Sequence, residues 1–295
     1  MPAYEFETYD VFTETKFAGN PLAVVMDARG LTTEQMQTVA REFNLAETSF
    51  VLPPEDPRHA ARLRIFTPGY EMPFAGHPTV GTSIAIARAR GLRGEIRLEL
   101  NAGVFPVEVE TDGDRGVAAF SNPNLPRETG PAPDADRLEA ALSLPSGAVD
   151  RGARRPRRIG AGVDFFYLRA PLDAVRAARL DSAAWRDLDM DGAVGLYLYT
   201  EGGMSPDVAY NARMFAPDAG VFEDPATGSA AAALPGQIAL GETLREGRHD
   251  WVIQQGAEMG RPSRIGARVE IKDGAVAAVR IGGPAVLMQK GQLFV

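Results

Sequence analysis

Phe66-Thr-Pro-Gly-Tyr-Glu-Met-Pro-Phe-Ala-Gly-His77-Pro-Thr-Val-Gly-Thr82 is echoed later in the chain by Phe215-Ala-Pro, a loop, and Asp224-Pro-Ala-Thr-Gly-Ser229. The shared pattern is an F-x-P anchor, then His or Asp followed by Pro-x-x-Gly and Thr or Ser, then an alanine-rich helix. Superposing His77 on Asp224 sets an offset of 147 residues, about half of the 295-residue chain. Gly81 then falls on Gly228 and Thr82 on Ser229, while the F-x-P anchors need a gap of two residues. A period of that length predicts two like domains rather than one large one.

Each copy places a residue able to cap, then proline, at the start of a helix. Proline suits a first helical turn, where its missing N–H is not needed. The spacing predicts one helix over 79–90 with Gly91 as its C-cap, and a second starting at 227–234 that Pro235 should end or kink. The small residues Gly81, Thr82, Gly228 and Ser229 are expected to leave first-turn amides accessible. Such amides carry partial positive charge and suit a carboxylate or phosphate. If the halves face each other, two helix starts converge on a cleft fit for a small anionic substrate. The plainer alternatives are that Asp224 is only an N-cap and His77 only a loop histidine. Different titratable groups at matching repeat positions favour chemistry over capping.

The rest of the chain alternates strands and helices, an α+β pattern. Strands are expected over 4–11, 22–26, 48–52 and 61–66, with a strand pair at 95–100 and 105–110. A helix over 33–43 takes Thr32 or Thr33 as its cap. Residues 121–133 carry four prolines and read as a linker. A short helix over 134–142 follows, then strands over 159–168, 193–200, 208–215, 251–255, 268–272 and 275–281. The domains implied are 1–120, completed by a C-terminal strand over 285–295, and 121–284.

A third titratable candidate is Glu47, in Asn44-Leu-Ala-Glu-Thr-Ser49, between a helix and a strand; the plainer alternative is a surface glutamate. Val194 stands at the same 147-residue offset, so the second half offers no matching carboxylate and the site is expected to be asymmetric, with one general acid/base. The chain has no cysteine, which removes disulfides, thiolate metal sites and thiol nucleophiles. With 39 acidic against 31 basic residues and a net charge of −8, it does not advertise a nucleic-acid surface. Arg151, Arg154, Arg155, Arg157 and Arg158 form the one basic run and read as a solvated face. His59 and His249 lack metal-ligand spacing, and no HExxH, Walker A or GxGxxG motif is present. The first residues, MPAYEFETYDVF, do not read as a signal peptide, and no stretch is apolar enough for a membrane helix. A soluble, cytoplasmic protein is expected, in keeping with a mean hydropathy of −0.15.

At these residues the sequence closely resembles the phenazine-biosynthesis isomerase family, the PhzF-like proteins, which share their fold with diaminopimelate epimerase. The matching segments are Val11-Phe-Thr and Phe17-Ala-Gly-Asn-Pro-Leu-Ala-Val-Val25, Ala40-Arg-Glu-Phe-Asn-Leu-Ala-Glu-Thr-Ser-Phe50, Arg64-Ile-Phe-Thr-Pro with Phe74-Ala-Gly-His-Pro-Thr-Val-Gly-Thr82, and Ala212-Arg-Met-Phe-Ala-Pro with Glu223-Asp-Pro-Ala-Thr-Gly-Ser-Ala230. The resemblance implies two pseudo-symmetric epimerase-like lobes, each a mixed sheet around a central helix, with a homodimer and no cofactor. It implies Glu47 as the proton-shuttling carboxylate, His77 and Asp224 as its partners, and Gly76 and Ser229 holding the substrate, with Asn20 as a further contact. The family's named activity isomerises trans-2,3-dihydro-3-hydroxyanthranilate, a proton leaving C3 and returning at C1. Ala46, where a serine would precede the glutamate, and Pro235 depart from the pattern. The epimerase relatives use two cysteines, which this chain lacks.

The leading expectation is therefore a cofactor-independent isomerase acting on a small unsaturated carboxylate. A second is a small-molecule binding or sensing protein on the same scaffold. A third is a serine hydrolase built from Ser229, His77 and Asp224, although Thr227-Gly-Ser-Ala-Ala231 is not a G-x-S-x-G elbow.

Overall fold

In the computed structural model, which describes residues 2–203 and 205–295, the chain divides into two units. The first holds the chain up to Ser121 together with Arg261–Arg264 and Gly282–Val295; the second holds Asn122–Gly260 and Ile265–Ile281.

The first unit runs β1 (Ala3–Val11), β2 (Asn20–Val25), α1 (Thr33–Phe43), β3 (Glu47–Leu52), β4 (Ala61–Phe66), β5 (Glu71–Met72), α2 (Gly76–Arg90), β6 (Gly94–Leu100), β7 (Gly103–Asp112) and β8 (Arg115–Ser121). Pairing is antiparallel for β1–β2, β3–β4, β6–β7 and β7–β8, and parallel for β2–β3 and β4–β6. The chain's last strand, Ala275–Phe294, pairs with both β8 and β1 and closes a ring of eight strands. That ring encloses α2, which packs on β1, β2, β3, β7 and β8. Every residue from Gly76 to Ala87 is buried. The sequence permits this because Gly-His-Pro-Thr-Val-Gly-Thr-Ser-Ile-Ala-Ile-Ala has no charged face, and a helix without one belongs inside. Two of its hydroxyls turn back on the helix: Thr79 Oγ1 donates to the Ala75 carbonyl and Ser83 Oγ to that of Thr79, both at 2.7 Å. Gly81 is the contact point. A Cβ there would lie 2.6 Å from Leu22 Cδ2 and 2.7 Å from Val11 Cγ2. It is the sixth residue of α2, so its size serves packing against β1 and β2 rather than access to first-turn amides. Helix α1 matches its expected span, with Thr32 as the cap and Gln35 closing a capping box.

The second unit runs β9 (Arg127–Gly130), α3 (Ala135–Ala141), β10 (Arg157–Gly160), β11 (Asp164–Arg169), α4 (Leu172–Ala177), α5 (Ser182–Arg186), β12 (Gly195–Glu201), β13 (Tyr210–Ala216), β14 (Val221–Asp224), α6 (Gly228–Gly241), β15 (Gly247–Gln255), most of β16 (Ser263–Lys272) and the start of β17 (Ala275–Phe294), whose remainder belongs to the first unit. Its pairings repeat those of the first: β10–β11 antiparallel, β11–β12 parallel, β12–β13 antiparallel, β13–β15 parallel, with the β13–β14 hairpin leading into α6 as β4–β5 leads into α2. The expected α+β repeat is therefore present, but its register differs from the 147-residue offset. Ala23, Thr48 and Phe66 form one row across the first unit, and Phe166, Leu196 and Phe215 the same row across the second. Phe66 thus matches Phe215, and Glu47 matches Gly195, not Val194. The helices begin at Gly76 and Gly228, so His77 matches Ser229. Asp224 ends β14 instead of opening the helix, whose N-cap is Thr227. His77 and Asp224 are not equivalent positions.

The repeat carries a second pattern, Arg-x-Phe-x-Pro, with a physical purpose. Arg64 forms a two-pronged pair with Glu71 (2.7 and 2.6 Å), and Arg213 does so with Glu223 (2.7 and 2.8 Å). Each guanidinium also lies over the next-but-one phenylalanine, Phe66 or Phe215, about 5 Å from the ring centroid. Each clamp ties the two strands of the hairpin that leads to the helix start.

Other expectations are corrected. Residues 121–133 are not all linker, since β9 pairs with β10. Residues 159–168 are not one strand; they include parts of β10 and β11, which pair antiparallel. Pro235 does not end α6, because the helix is buried from Ala230 to Ile238 and packing outweighs one lost hydrogen bond. The basic run is no free face. Arg157 is buried, Arg151 pairs with Asp136 and Glu139, Arg154 with Glu201 and Glu242, and Arg158 with Asp164 and Asp191.

Arg213 also donates to the carbonyls of Val175, Arg176 and Ala178. Arg213→Ala should therefore cost about 3–5 kcal/mol, by stranding Glu223 and those carbonyls. Arg64→Ala, from a more exposed pair, should cost less. Urea unfolding of the two variants beside the unaltered chain checks the order.

Candidate active site

Glu47 is the first residue of β3, placed beside Leu22 of β2 by the parallel register. His77 is the second residue of α2. The first unit brings them together: His77 Nδ1 lies 3.3 Å from Glu47 Oε2, with the histidine side chain 4% exposed and the glutamate 16%. His77 is thus a helix residue, and Glu47 is half-sheltered rather than a free surface glutamate. Burial pushes the imidazole down to about 3, and the Pro21 carbonyl facing it offsets this only in part. The ring is neutral across the physiological range. Its Nε2 has no hydrogen-bond partner among the described residues.

Asn20 opens β2 and is fully buried, next to Pro21. The loop before it is held by Arg261, which donates to the carbonyls of Ala18 and Gly19 and to Asp10. Asp10 in turn accepts from the Phe17 amide at 2.7 Å. Gly76 is the first residue of α2, whose N-cap is Ala75. No side chain caps this helix and no acid occupies its first turn, so its leading amides are not taken by its own side chains.

In the second unit, Asp224 is buried, and its Oδ2 accepts from Thr227 Oγ1 at 2.6 Å. Gln255 braces this corner. Its Nε2 donates to the Asp224 carbonyl (2.7 Å) and to Thr227 Oγ1 (2.9 Å), while its Oε1 accepts from the Thr227 amide (3.2 Å). Gly228 and Ser229 are the first two residues of α6, again without a side-chain cap bond. Gln255, Arg261 and Thr227 were not singled out from the sequence. Thr227 lay inside a quoted motif, but Gln255 and Arg261 join the corners they brace only through long-range folding. Among the described residues no His, Asp or Glu group is arranged to hold a metal ion, and no helix is long and apolar enough to cross a membrane.

The phenazine biosynthesis-like protein (PhzC-PhzF) family matches residues 9–291. The chain belongs to this family. It is 42% identical over 302 residues to an uncharacterized isomerase of Mesorhizobium japonicum, covering 100% of both chains. It is 33% identical over 293 residues to the trans-2,3-dihydro-3-hydroxyanthranilate isomerase of Pseudomonas aeruginosa, covering 99% of each. A crystal structure of a PhzF-family phenazine biosynthesis protein from Bacillus anthracis superposes with a TM-score of 0.88 at 26% identity, covering 100% of both chains. The fold is the α+β, epimerase-type one that the motifs implied. The chain is a small-molecule isomerase, and the sensing and hydrolase alternatives give way to that reading.

His77 has a measurable signature. Its folded value near 3 lies below the 6.5 of an unperturbed histidine. Between those pH values the unfolded chain binds the extra proton, so His77's contribution is complete above about pH 6.5 and declines as the pH falls. Urea midpoints should drop between pH 7 and pH 5, and less steeply in His77→Gln. Equal slopes in both proteins would contradict the buried neutral imidazole.

Proposed function

We propose that the chain catalyses a proton shift on a small unsaturated carboxylate, with Glu47 as the one acid/base group. The observation that carries this is the 3.3 Å contact between Glu47 and a buried, neutral His77 at the uncapped start of α2. A carboxylate beside a neutral imidazole keeps its affinity for a proton, which the positive charge of an imidazolium would lower. The helix start favours an anion, which suits the substrate's carboxylate, and His77 Nε2 can donate to or accept from a polar substituent.

In the reaction proposed, the Glu47 carboxylate takes a proton from a carbon next to a carbon–carbon double bond. The C–H electron pair joins the conjugated system and the double bond shifts. Glu47, now protonated, returns the proton to the far end of that system. Atoms and electrons balance with no oxidant, reductant or cofactor. The 33%-identical relative is named for trans-2,3-dihydro-3-hydroxyanthranilate, which has this arrangement, and that compound is the first substrate to test. Asn20 and Gly76 are proposed as substrate contacts in the first unit, and the family resemblance alone supports Asp224, Gly228 and Ser229 as functional residues of the second. A homodimer is part of the same proposal and rests on the family resemblance.

The test is turnover of trans-2,3-dihydro-3-hydroxyanthranilate in heavy water. Deuterium should appear at the carbon that receives the proton, in proportion to exchange with solvent. Glu47→Gln should fold normally and lose about 10²- to 10⁴-fold in kcat. Undiminished turnover in that variant would sink the assignment.

A further inference from the structure

The turn between β4 and β5 holds an aromatic ring that folding leaves uncovered. Tyr70 is 45% exposed, although its backbone N–H and carbonyl are both hydrogen-bonded. The Thr67 amide donates to the Tyr70 carbonyl at 2.9 Å, and Thr67 Oγ1 accepts from the amides of Gly69 and Tyr70 at 3.1 and 3.0 Å. The turn is also tethered to α1. Gln37 Nε2 donates to the carbonyls of Thr67 and Pro68, and Arg41 Nε to that of Pro68. An exposed ring on an anchored backbone suits a binding surface, since part of the ordering cost is met before a ligand arrives.

The turn is also in register with Glu47. Thr48 pairs with Phe66 across the antiparallel β3–β4 register, so Glu47 stands opposite Thr67, the residue that holds Tyr70. The Glu47 charge, after burial, contributes to holding the phenol above its ordinary value. The phenol therefore stays uncharged where the enzyme works and does not repel an anionic substrate.

Resting on the isomerase reading above, we propose that Tyr70 is a substrate-binding residue of the Glu47 site, its ring face packing on the planar, conjugated part of the substrate. A flat π-system gains offset-stacked contact with a ring that a saturated or puckered molecule of equal size does not. Tyr70 thus selects for planarity at the place where Glu47 needs a conjugated acceptor for the electron pair.

The experiment measures kcat and KM for trans-2,3-dihydro-3-hydroxyanthranilate, and equilibrium binding of its flat aromatic analogue 3-hydroxyanthranilate, in the full-length chain, Tyr70→Phe and Tyr70→Ala. Tyr70→Phe should match the unaltered chain in all three quantities. Tyr70→Ala should raise KM and the analogue's Kd about tenfold, with kcat changed less than about threefold. An unchanged KM and Kd in Tyr70→Ala would overturn the proposal. So would equal losses in both variants, which would assign the effect to the hydroxyl, or a change of oligomeric state without a change in KM. Failure of the unaltered chain to bind 3-hydroxyanthranilate would overturn it too. Full turnover in Glu47→Gln with a tenfold KM increase in Tyr70→Ala would instead remove Glu47 as the base and leave Tyr70 in place.

Discussion

Enclosure of α2 is the constraint on which the first unit's chemistry depends. A ring of strands closes around a helix buried from its first residue, where polar groups are favoured when they bond within the ring or give up their charge. Thr79 and Ser83 take the first course by bonding the preceding turn. His77 takes the second, because an imidazolium 4% exposed would lack the solvation it needs. The neutral histidine beside Glu47 is thus a consequence of packing before it is a feature of catalysis. The same packing explains Gly81, whose missing side chain lets the helix reach β1 and β2.

Repetition of the fold does not extend to the site. The position in the second unit that matches Glu47 is Gly195, where a Cβ would lie 2.4 Å from the Phe215 carbonyl oxygen and 3.1 Å from the Met214 sulfur. No carboxylate can occupy that place without displacing β13. The arginine–glutamate clamps, by contrast, occur in both units with nearly the same geometry. What the two halves share is the means of presenting a helix start, and what differs is the group presented.

The broad architecture was legible because its signals are local. The F-x-P anchor, the alanine-rich helix and the Thr32 cap each depend on a few neighbouring residues, and the α+β repeat followed from them. The register was not legible, because it depends on hairpin length. The loop from Phe215 to α6 is longer than that from Phe66 to α2, so aligning His77 with Asp224 paired a helix residue with a strand end. Pro235 misled in the same way, since a local rule gave way to burial on all sides. In the candidate site, Glu47 and His77 were readable as residue types in motifs. Their 3.3 Å contact was not, because it joins β3 to α2 across 30 positions of sequence. Tyr70 lay inside the quoted motif, yet nothing in the motif distinguishes an exposed ring from a buried one.

A single acid/base group also limits the stereochemistry available under the proposed mechanism. An epimerase that inverts one carbon needs an acid and a base on opposite faces. Here there is no thiol, and the proposal gives proton transfer to Glu47 alone. One group that takes a proton and returns it elsewhere must do both from its own side of the substrate. The product carbon therefore receives its hydrogen on the face from which the first was lost. Inversion at one carbon is the wrong task for such a site, and migration along a planar conjugated system is a task that it can perform. Under the proposal, Glu47 acting alone restricts the site to that outcome.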